Sequence, residues 1–498
     1  MKNLTSKAGL IGFGTAVFQV FTILSTLVLA RILTQEDLGT YKQVFLVNNL
    51  IVPIFAAGVP AGIFYFLPRL KQEKDKKLFI SRSIGLLFLL GLSLGVAVSL
   101  SSFLVPKIMH NEKLTILLVI FGLYAFGHLA VSFFEPVLVV YNRLKALFIY
   151  PMVYGAASFI IIVGLALLFD GDLKAVVTGV SLASLVFFIF ALVFTKTFLS
   201  LRKTFSFNLE SYKSQLAYGV PLGLTSIIGL LAWEFDKLVV SVNFSPELYA
   251  VYVLGATEIP FVSMIRGSVT KVILPEMVKV YAEGNLKELV RLWHSSIRKI
   301  SLIILPIFVV AMIFSHEIIT ILYSEKFSSS VPFFRIYLFL LIIRVASYGI
   351  ILQAIGKTRE NLKGSIFFFI ANGILNVVLV STLGLIGPAT ATVLATFLSV
   401  IYYIVVIKGC IRFSFSDMLP WLVILRNFVL AIVAAVALIP GFYSNLPALT
   451  NVILSTILYA FVYIFLITKF GVFTRDDKEL LRSYFVKTLV LLKRARQH

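Results

Sequence analysis

The chain has 498 residues, 59% of them hydrophobic and 13% charged, with a formal net charge of +21. A mean hydropathy of +1.00 excludes an ordinary soluble globular protein. The single cysteine, Cys410, excludes an internal disulfide framework and a multi-cysteine metal site. Along the chain about fourteen apolar runs have spanning length. They cover approximately 8–33, 43–67, 80–106, 115–141, 148–169, 175–200, 216–242, 250–275, 299–323, 333–355, 364–383, 385–407, 420–440 and 449–468. The first run is too long for a signal-peptide core and LVLARIL is a poor cleavage site, so it is expected to be retained. None alternates with period two, which argues against a transmembrane barrel.

The basic residues are unevenly distributed. They fill every second loop: Arg69, Lys71, Lys74, Lys76 and Lys77; Arg143 and Lys145; Lys196, Arg202, Lys203 and Lys213. The same side continues with Lys279, Lys287, Arg291, Arg298 and Lys299, then Lys357, Arg359 and Lys363, then Lys408 and Arg412. The intervening loops hold little beyond Lys42, Lys107, Lys113, Lys174 and Lys326. This is the positive-inside pattern and predicts both termini in the cytoplasm; it is a topology signal, not a nucleic-acid footprint. The predicted outward loops are about a dozen residues at most, leaving no room for an outer catalytic domain. No Walker-type, H-E-x-x-H or G-x-S-x-G motif occurs, so neither a cofactor nor an enzyme is expected.

The segment LLAWEFDKLVVSVNF, residues 230–244, puts Glu234, Asp236 and Lys237 inside an apolar run. Each charge at a helix centre costs about 2.5–3.5 kcal/mol, and each large apolar residue returns only about 0.3–0.6 kcal/mol. The segment therefore inserts marginally by itself, and its charges call for a function or a partner.

The chain also repeats itself. ILTQEDLGTYKQV after the first run matches VNFSPELYAVYVLG after the seventh, aligning Asp37-Leu38 with Glu247-Leu248 and Tyr41 with Tyr252. Each following run ends in Leu-Pro, at Pro68 and Pro275. An offset of six helices gives repeats of like orientation, related by an axis along the membrane normal. The expected fold is an all-α polytopic membrane protein of about 14 transmembrane helices, with both termini inside. It comprises an N-lobe (1–200, helices 1–6), a cytoplasmic linker (201–215), a C-lobe (216–408, helices 7–12) and helices 13–14 (420–468). A basic amphipathic tail (470–498) is expected to lie on the cytoplasmic leaflet.

Six stretches, in order along essentially the whole chain, carry a family resemblance: LVLARILTQEDLGTYKQV, LAYGVPLGLTSIIGLLAWEFDKLVV, ILPEMVKVYAEGNLKELVRL, ILYSEKFSSSVPFFRIY, ILQAIGKTRENLKGSI and LGLIGPATATVLAT. They resemble the Wzx-type oligosaccharide flippases of the multidrug/oligosaccharidyl-lipid/polysaccharide (MOP) exporter superfamily, which also contains MATE antiporters and lipid II flippases. The resemblance implies a transporter of the bacterial cytoplasmic membrane that works by alternating access. Its implied substrate is an undecaprenyl-pyrophosphate-linked oligosaccharide, moved from the cytoplasmic to the outer leaflet for surface polysaccharide synthesis. Implied partners are membrane lipids, a proton or sodium gradient, and the polysaccharide polymerase and chain-length machinery.

Such a substrate needs cations for its phosphates within a wet cleft. The substrate-binding candidates are Arg31, Lys237, Arg266 and Arg344, the last two near mid-span by residue count. Glu234, Asp236 and Glu258 either neutralise these cations or bind the coupling ion. His128, Ser132 and Glu135 in FGHLAVSFFEPVL are spaced to share a helical face, suiting either a proton relay or packing. Prolines in and at the ends of spans, Pro53, Pro60, Pro136, Pro151, Pro221, Pro260 and Pro306, permit bends. A MATE-like cation or drug antiporter and a membrane glycosyltransferase or polymerase remain as alternatives. The lack of acids in the first two runs argues against the former, and the short outer loops against the latter.

Overall fold

The computed structural model describes residues 2–411, 414–442, 444 and 446–471; the expected amphipathic tail, beyond residue 471, lies outside the described residues. Every regular element among them is helical. The α-helices of six or more residues are α1 (Lys2–Ile32), α2 (Gln35–Ala56), α3 (Val59–Phe66), α4 (Glu73–Leu100), α5 (Leu114–Ala130), α6 (Phe134–Val140), α7 (Leu144–Leu168), α8 (Leu173–Leu199), α9 (Leu209–Asn243) and α10 (Pro246–Gly255). They continue as α11 (Pro260–Ala282), α12 (Leu286–Ile313), α13 (Ser315–Tyr323), α14 (Val331–Ile343), α15 (Gly349–Ala354), α16 (Thr358–Leu383), α17 (Ile386–Ile411), α18 (Trp421–Ala434) and α19 (Ala448–Lys469). Eleven spans among the described residues are long and apolar enough to cross a membrane, and a shorter apolar helix covers Ala16–Ile32. Large apolar side chains such as Leu422 (82% exposed) and Leu168 (78%) stand on the surface, as a lipid-facing exterior requires.

Helix starts follow side-chain chemistry. Thr34, Asp172, Asn208, Ser245 and Asn285 each accept a hydrogen bond from a backbone N–H of the first turn they cap. The caps also correct the register of the internal repeat. Thr34 caps through the Asp37 N–H and Ser245 through the Leu248 N–H, so Glu36, not Asp37, corresponds to Glu247. The pairing of Tyr41 with Tyr252 has this same offset.

Three apolar runs expected to be continuous are broken. Ala57 and Gly58, with φ of 44° and 65°, separate α2 from α3. Residues 256–259 separate α10 from α11, and 344–348 separate α14 from α15. In the fourth run a 3-10 turn at Val131–Phe133 joins α5 to α6. Pro53, Pro151, Pro275 and Pro306 lie inside helices.

The described residues form two compact units. The first draws on Met1–Thr257, Leu322–Tyr337 and Arg359–Ser399. Its helices approach closely where side chains are small: Gly95 of α4 and Gly122 of α5 sit backbone to backbone, and Gly127 lies against Ser184 of α8. Gly39 of α2 lies directly on the Pro246 carbonyl of α10, leaving no space for a methyl group. The linker is tied to α4, since Ser81 Oγ donates to the Lys203 carbonyl at 2.6 Å. The second unit draws on Glu258–Ile321, Leu338–Thr358 and Val400–His498 and is built around buried Trp293, Ile297, Ile351 and Ile407.

Candidate functional site

In the first unit a cavity of about 400 Å³ opens among α1, α2, α5, α7, α8, α9 and α10. Its charged lining consists of Lys42, Lys237 and Glu234, with His128 beside them. Lys42 lies within α2, not in an outward loop as the charge pattern suggested. The Thr34 cap starts the helix at Gln35 and carries Lys42 two turns inside. Its ammonium donates to Thr26 Oγ1 of α1 at 3.1 Å. Lys237 donates to the Trp233 carbonyl at 3.0 Å and lies 3.4 Å from Glu234 Oε2. Glu234 Oε1 in turn accepts from Asn49 Nδ2 of α2 at 3.4 Å. Residues 234 and 237 are three apart on α9 and share its cavity face.

Asp236 points elsewhere, as its position two residues from Glu234 requires. It is fully buried, and its Oδ2 accepts from the hydroxyls of Tyr252, at 2.6 Å, and of Tyr337. Its Oδ1 lies 3.9 Å from the Lys237 ammonium and has no hydrogen-bond partner among the described residues. A further buried polar group escaped the sequence reading. Asn372 Nδ2 of α16 donates to the Ala232 carbonyl of α9 at 2.7 Å. Asn376 Nδ2 donates to Asn372 Oδ1 at 2.8 Å, and Thr392 of α17 donates to it at 3.3 Å. The signal was present in FFFIANGILNVV, where two amides four residues apart interrupt an apolar run.

The His128, Ser132 and Glu135 constellation does not assemble. The 3-10 turn winds at about 120° per residue against 100° in an α-helix, which rotates Glu135 away from the His128 face. His128 stacks on Tyr124 (centroids 5.3 Å apart, 12° between planes) and lines the cavity, whereas Ser132 donates to the Leu129 carbonyl. Glu135 is exposed and does not line the cavity. Arg31 is absent from that lining as well. Its guanidinium donates to the carbonyls of Leu27, at 2.9 Å, and Leu322, at 2.6 Å.

Arg266, Arg344 and Glu258 belong to the second unit. Glu258 stands in the break before α11 and Arg344 in the break after α14, and the two form an ion pair. Their side chains keep 28% and 11% exposure respectively. Helix breaks at membrane depth free backbone groups that nearby polar side chains can satisfy. Because α11 starts at Pro260, Arg266 lies in its second turn and not at the middle of a continuous span.

The family described as "Polysaccharide biosynthesis protein" matches residues 28–332, more than half of the chain. The chain belongs to that family. No curated protein matches it in sequence. Among solved structures it is similar to the lipid II flippase MurJ in an inward closed conformation, at 16% identity. That match covers 93% of this chain and 99% of MurJ, with a TM-score of 0.70. An inward-facing multidrug resistance MATE family transporter of the MOP superfamily matches at 17% identity over 79% of this chain and 94% of its own, with a TM-score of 0.60. A MOP superfamily transporter from Pyrococcus furiosus matches at 15% identity over 81% and 95%, with a TM-score of 0.52. At these identities the likeness establishes the fold. This member of the polysaccharide biosynthesis protein family is an all-helical, multi-pass membrane protein with the MOP architecture, as its six motifs led us to expect.

Proposed function

We propose that the chain flips an undecaprenyl-pyrophosphate-linked oligosaccharide from the cytoplasmic to the outer leaflet of a bacterial cytoplasmic membrane, by alternating access. The observation that carries this reading is the convergence of Lys42 and Lys237 on one cavity among lipid-spanning helices. Two ammonium groups against the single carboxylate of Glu234 leave that cavity cationic, which suits a pyrophosphate. Tyrosine hydroxyls and Asn49 supply hydrogen bonds for a sugar that hydrocarbon would reject. Family membership and the MOP fold support the same reading. In this proposal fourteen spans cross with both termini inside, 1–200 and 216–408 act as two lobes, and the flipped unit passes to the polymerase and chain-length machinery. Arg266 and Arg344 of the second unit hold the phosphates at another stage of the cycle. Arg31, already bonded to two carbonyls, is the weakest of the four cations first singled out.

The test is export at matched protein levels. Lys42→Ala with Lys237→Ala, and separately Arg266→Ala or Arg344→Ala, should abolish surface polymer and leave lipid-linked units in the cytoplasmic leaflet. Arg→Lys variants should retain partial function, because they keep the charge and lose the bidentate geometry. Normal export by all of them would sink the cationic-cavity reading. A second reading, cation antiport, is favoured by one observation: the Asp236 carboxylate keeps one oxygen without a hydrogen bond among the described residues. Under the main proposal, Asp236, Glu234 and Glu258 couple transport to a proton or sodium gradient, with His128 and Glu135 contributing separately. An outward drug gradient built by vesicles of the purified protein would favour antiport instead.

A further inference from the structure

Away from that cavity, the first unit carries a second one of about 700 Å³ along α6, α7 and α8. Its floor is a run of rings. Phe134 meets Tyr150 at 4.7 Å and Phe194 at 5.7 Å, and Tyr150 meets Phe187 at 6.0 Å. Its walls include Ile149, Val153, Val186 and Phe190, each about half exposed, so the groove opens on the outer, apolar surface of the unit. One end is polar, formed by Asn142, Arg143 and Lys145.

Beyond that end lies a polar pocket of about 420 Å³, which shares Asn142 and Arg143 with the groove. It adds Lys77, Glu73, Tyr141 and Ser200. The Arg143 guanidinium is held over the Phe198 ring at 4.0 Å. Glu73 is already engaged, by Lys76 at 2.7 Å and by the Tyr141 hydroxyl at 3.1 Å. No ion pair forms at Lys77, Arg143 or Lys145 among the described residues. An apolar slot that leads into a pocket whose cations outnumber its one carboxylate has the two-part form of a phospholipid.

We propose that this groove and pocket form a selective site for an anionic glycerophospholipid with a hydroxylated headgroup, of the phosphatidylglycerol class. One acyl chain lies on the Phe134, Tyr150, Phe187 and Phe194 rings. The phosphate sits among Arg143, Lys145 and Lys77, and the headgroup hydroxyls face Glu73, Tyr141 and Ser200. Three cations against the single carboxylate of Glu73 favour an anionic lipid over a zwitterionic one. The rings of Tyr150, Tyr154 and Phe187 stand between the groove and the cavity of Lys42 and Lys237: Tyr154 lines that cavity, Tyr150 the groove, and Phe187 lies 4.2 Å from Tyr154. A lipid held here is therefore not on the way to Lys42 and Lys237, which argues for a resident lipid over the transported carrier. The site does not depend on what the chain transports.

The experiment is native mass spectrometry of the full chain, purified in mild detergent and offered phosphatidylglycerol, phosphatidylethanolamine and undecaprenyl phosphate in equal amounts. Wild type should retain phosphatidylglycerol in preference to both others. Removing one charge by Arg143→Ala or Lys145→Ala should weaken retention about fivefold each. Val153→Trp, which fills the groove from its exposed wall, should abolish retention at unchanged thermal stability of the lipid-free protein. Equal retention of the two phospholipids would refute headgroup selection, and displacement by undecaprenyl phosphate would reassign the groove to the carrier. Wild-type binding to none of the three would overturn the proposal without recourse to any variant.

Discussion

Asp236 offers the sharpest test of how charge is held inside the first unit. It has no exposed surface, and its carboxylate rests on two tyrosine hydroxyls and a lysine 3.9 Å away. Tyr252→Phe and Tyr337→Phe each remove one donor and keep the ring, so neither opens a cavity. A hydrogen bond to a charged group contributes about 1.5–3 kcal/mol, and each variant should lose about that much. The double variant leaves a buried carboxylate with Lys237 alone, and its loss should depart from the sum because both hydroxyls share one acceptor. Adding Asp236→Leu to the double variant should recover part of the loss, since an undercompensated buried charge costs more than an apolar replacement. The assay is unfolding in mixed micelles titrated with dodecyl sulfate and followed by helical circular dichroism. Single Tyr→Phe variants that unfold at the wild-type midpoint would show that these hydroxyls do not hold the carboxylate.

Other consequences can be measured in the same way. Gly39→Ala drives a methyl group into the Pro246 carbonyl and should cost about 1–3 kcal/mol as an overpacking defect, seen as an earlier midpoint. Glu258→Ala takes the carboxylate from a mostly buried guanidinium and should cost about 1–3 kcal/mol, less than a fully buried pair because Glu258 keeps 28% exposure. Burial pulls the Lys113 ammonium down in pKa, but Asp37 and Glu36 outweigh it and leave the group raised above its ordinary value. Its contribution is therefore fully present at neutral pH and is lost only as pH rises through that raised pKa. Lys113→Met should accordingly destabilise slightly at pH 7 and not at all in strong alkali. Single cysteines at Lys74 and Lys113, on a Cys410→Ser background, should react with an impermeant thiol reagent in intact cells at 113 only. Labelling at 74 alone would invert the proposed topology.

Composition and periodicity made the helical, membrane-spanning character legible, because about twenty consecutive apolar residues admit few other structures. The six motifs made the family and its fold legible. The breaks were not visible by the same means. A hydropathy window averages over Ala57-Gly58, and it dilutes the few polar residues of 256–259 and 344–348 in the long apolar helices on either side. Glu258 and Arg344 were noticed as charges, but their pairing depends on those two breaks. Lys42 was assigned to a loop because it follows the polar stretch TQEDLG, although a threonine followed by two acids is a helix start. Asn372, Asn376 and Thr392 carry no charge, and the Phe, Ile, Leu and Val around them keep the run apolar overall, so a search for intramembrane charges passes over them; yet they are wholly buried and bonded to one another. His128 and Glu135 were placed on one face by assuming ideal helical winding, which a single 3-10 turn defeats.

The most direct measurement of the proposed function is flipping by the purified protein. The full chain would be reconstituted into vesicles with a fluorescent undecaprenyl-pyrophosphate-linked oligosaccharide confined to one leaflet, and a membrane-impermeant quencher would report its arrival in the other. Transfer should run well above that in protein-free vesicles, and the Lys42→Ala, Lys237→Ala double variant should lose that excess at equal reconstitution. Transfer no faster than in empty vesicles, under either a proton or a sodium gradient, would contradict the proposed function.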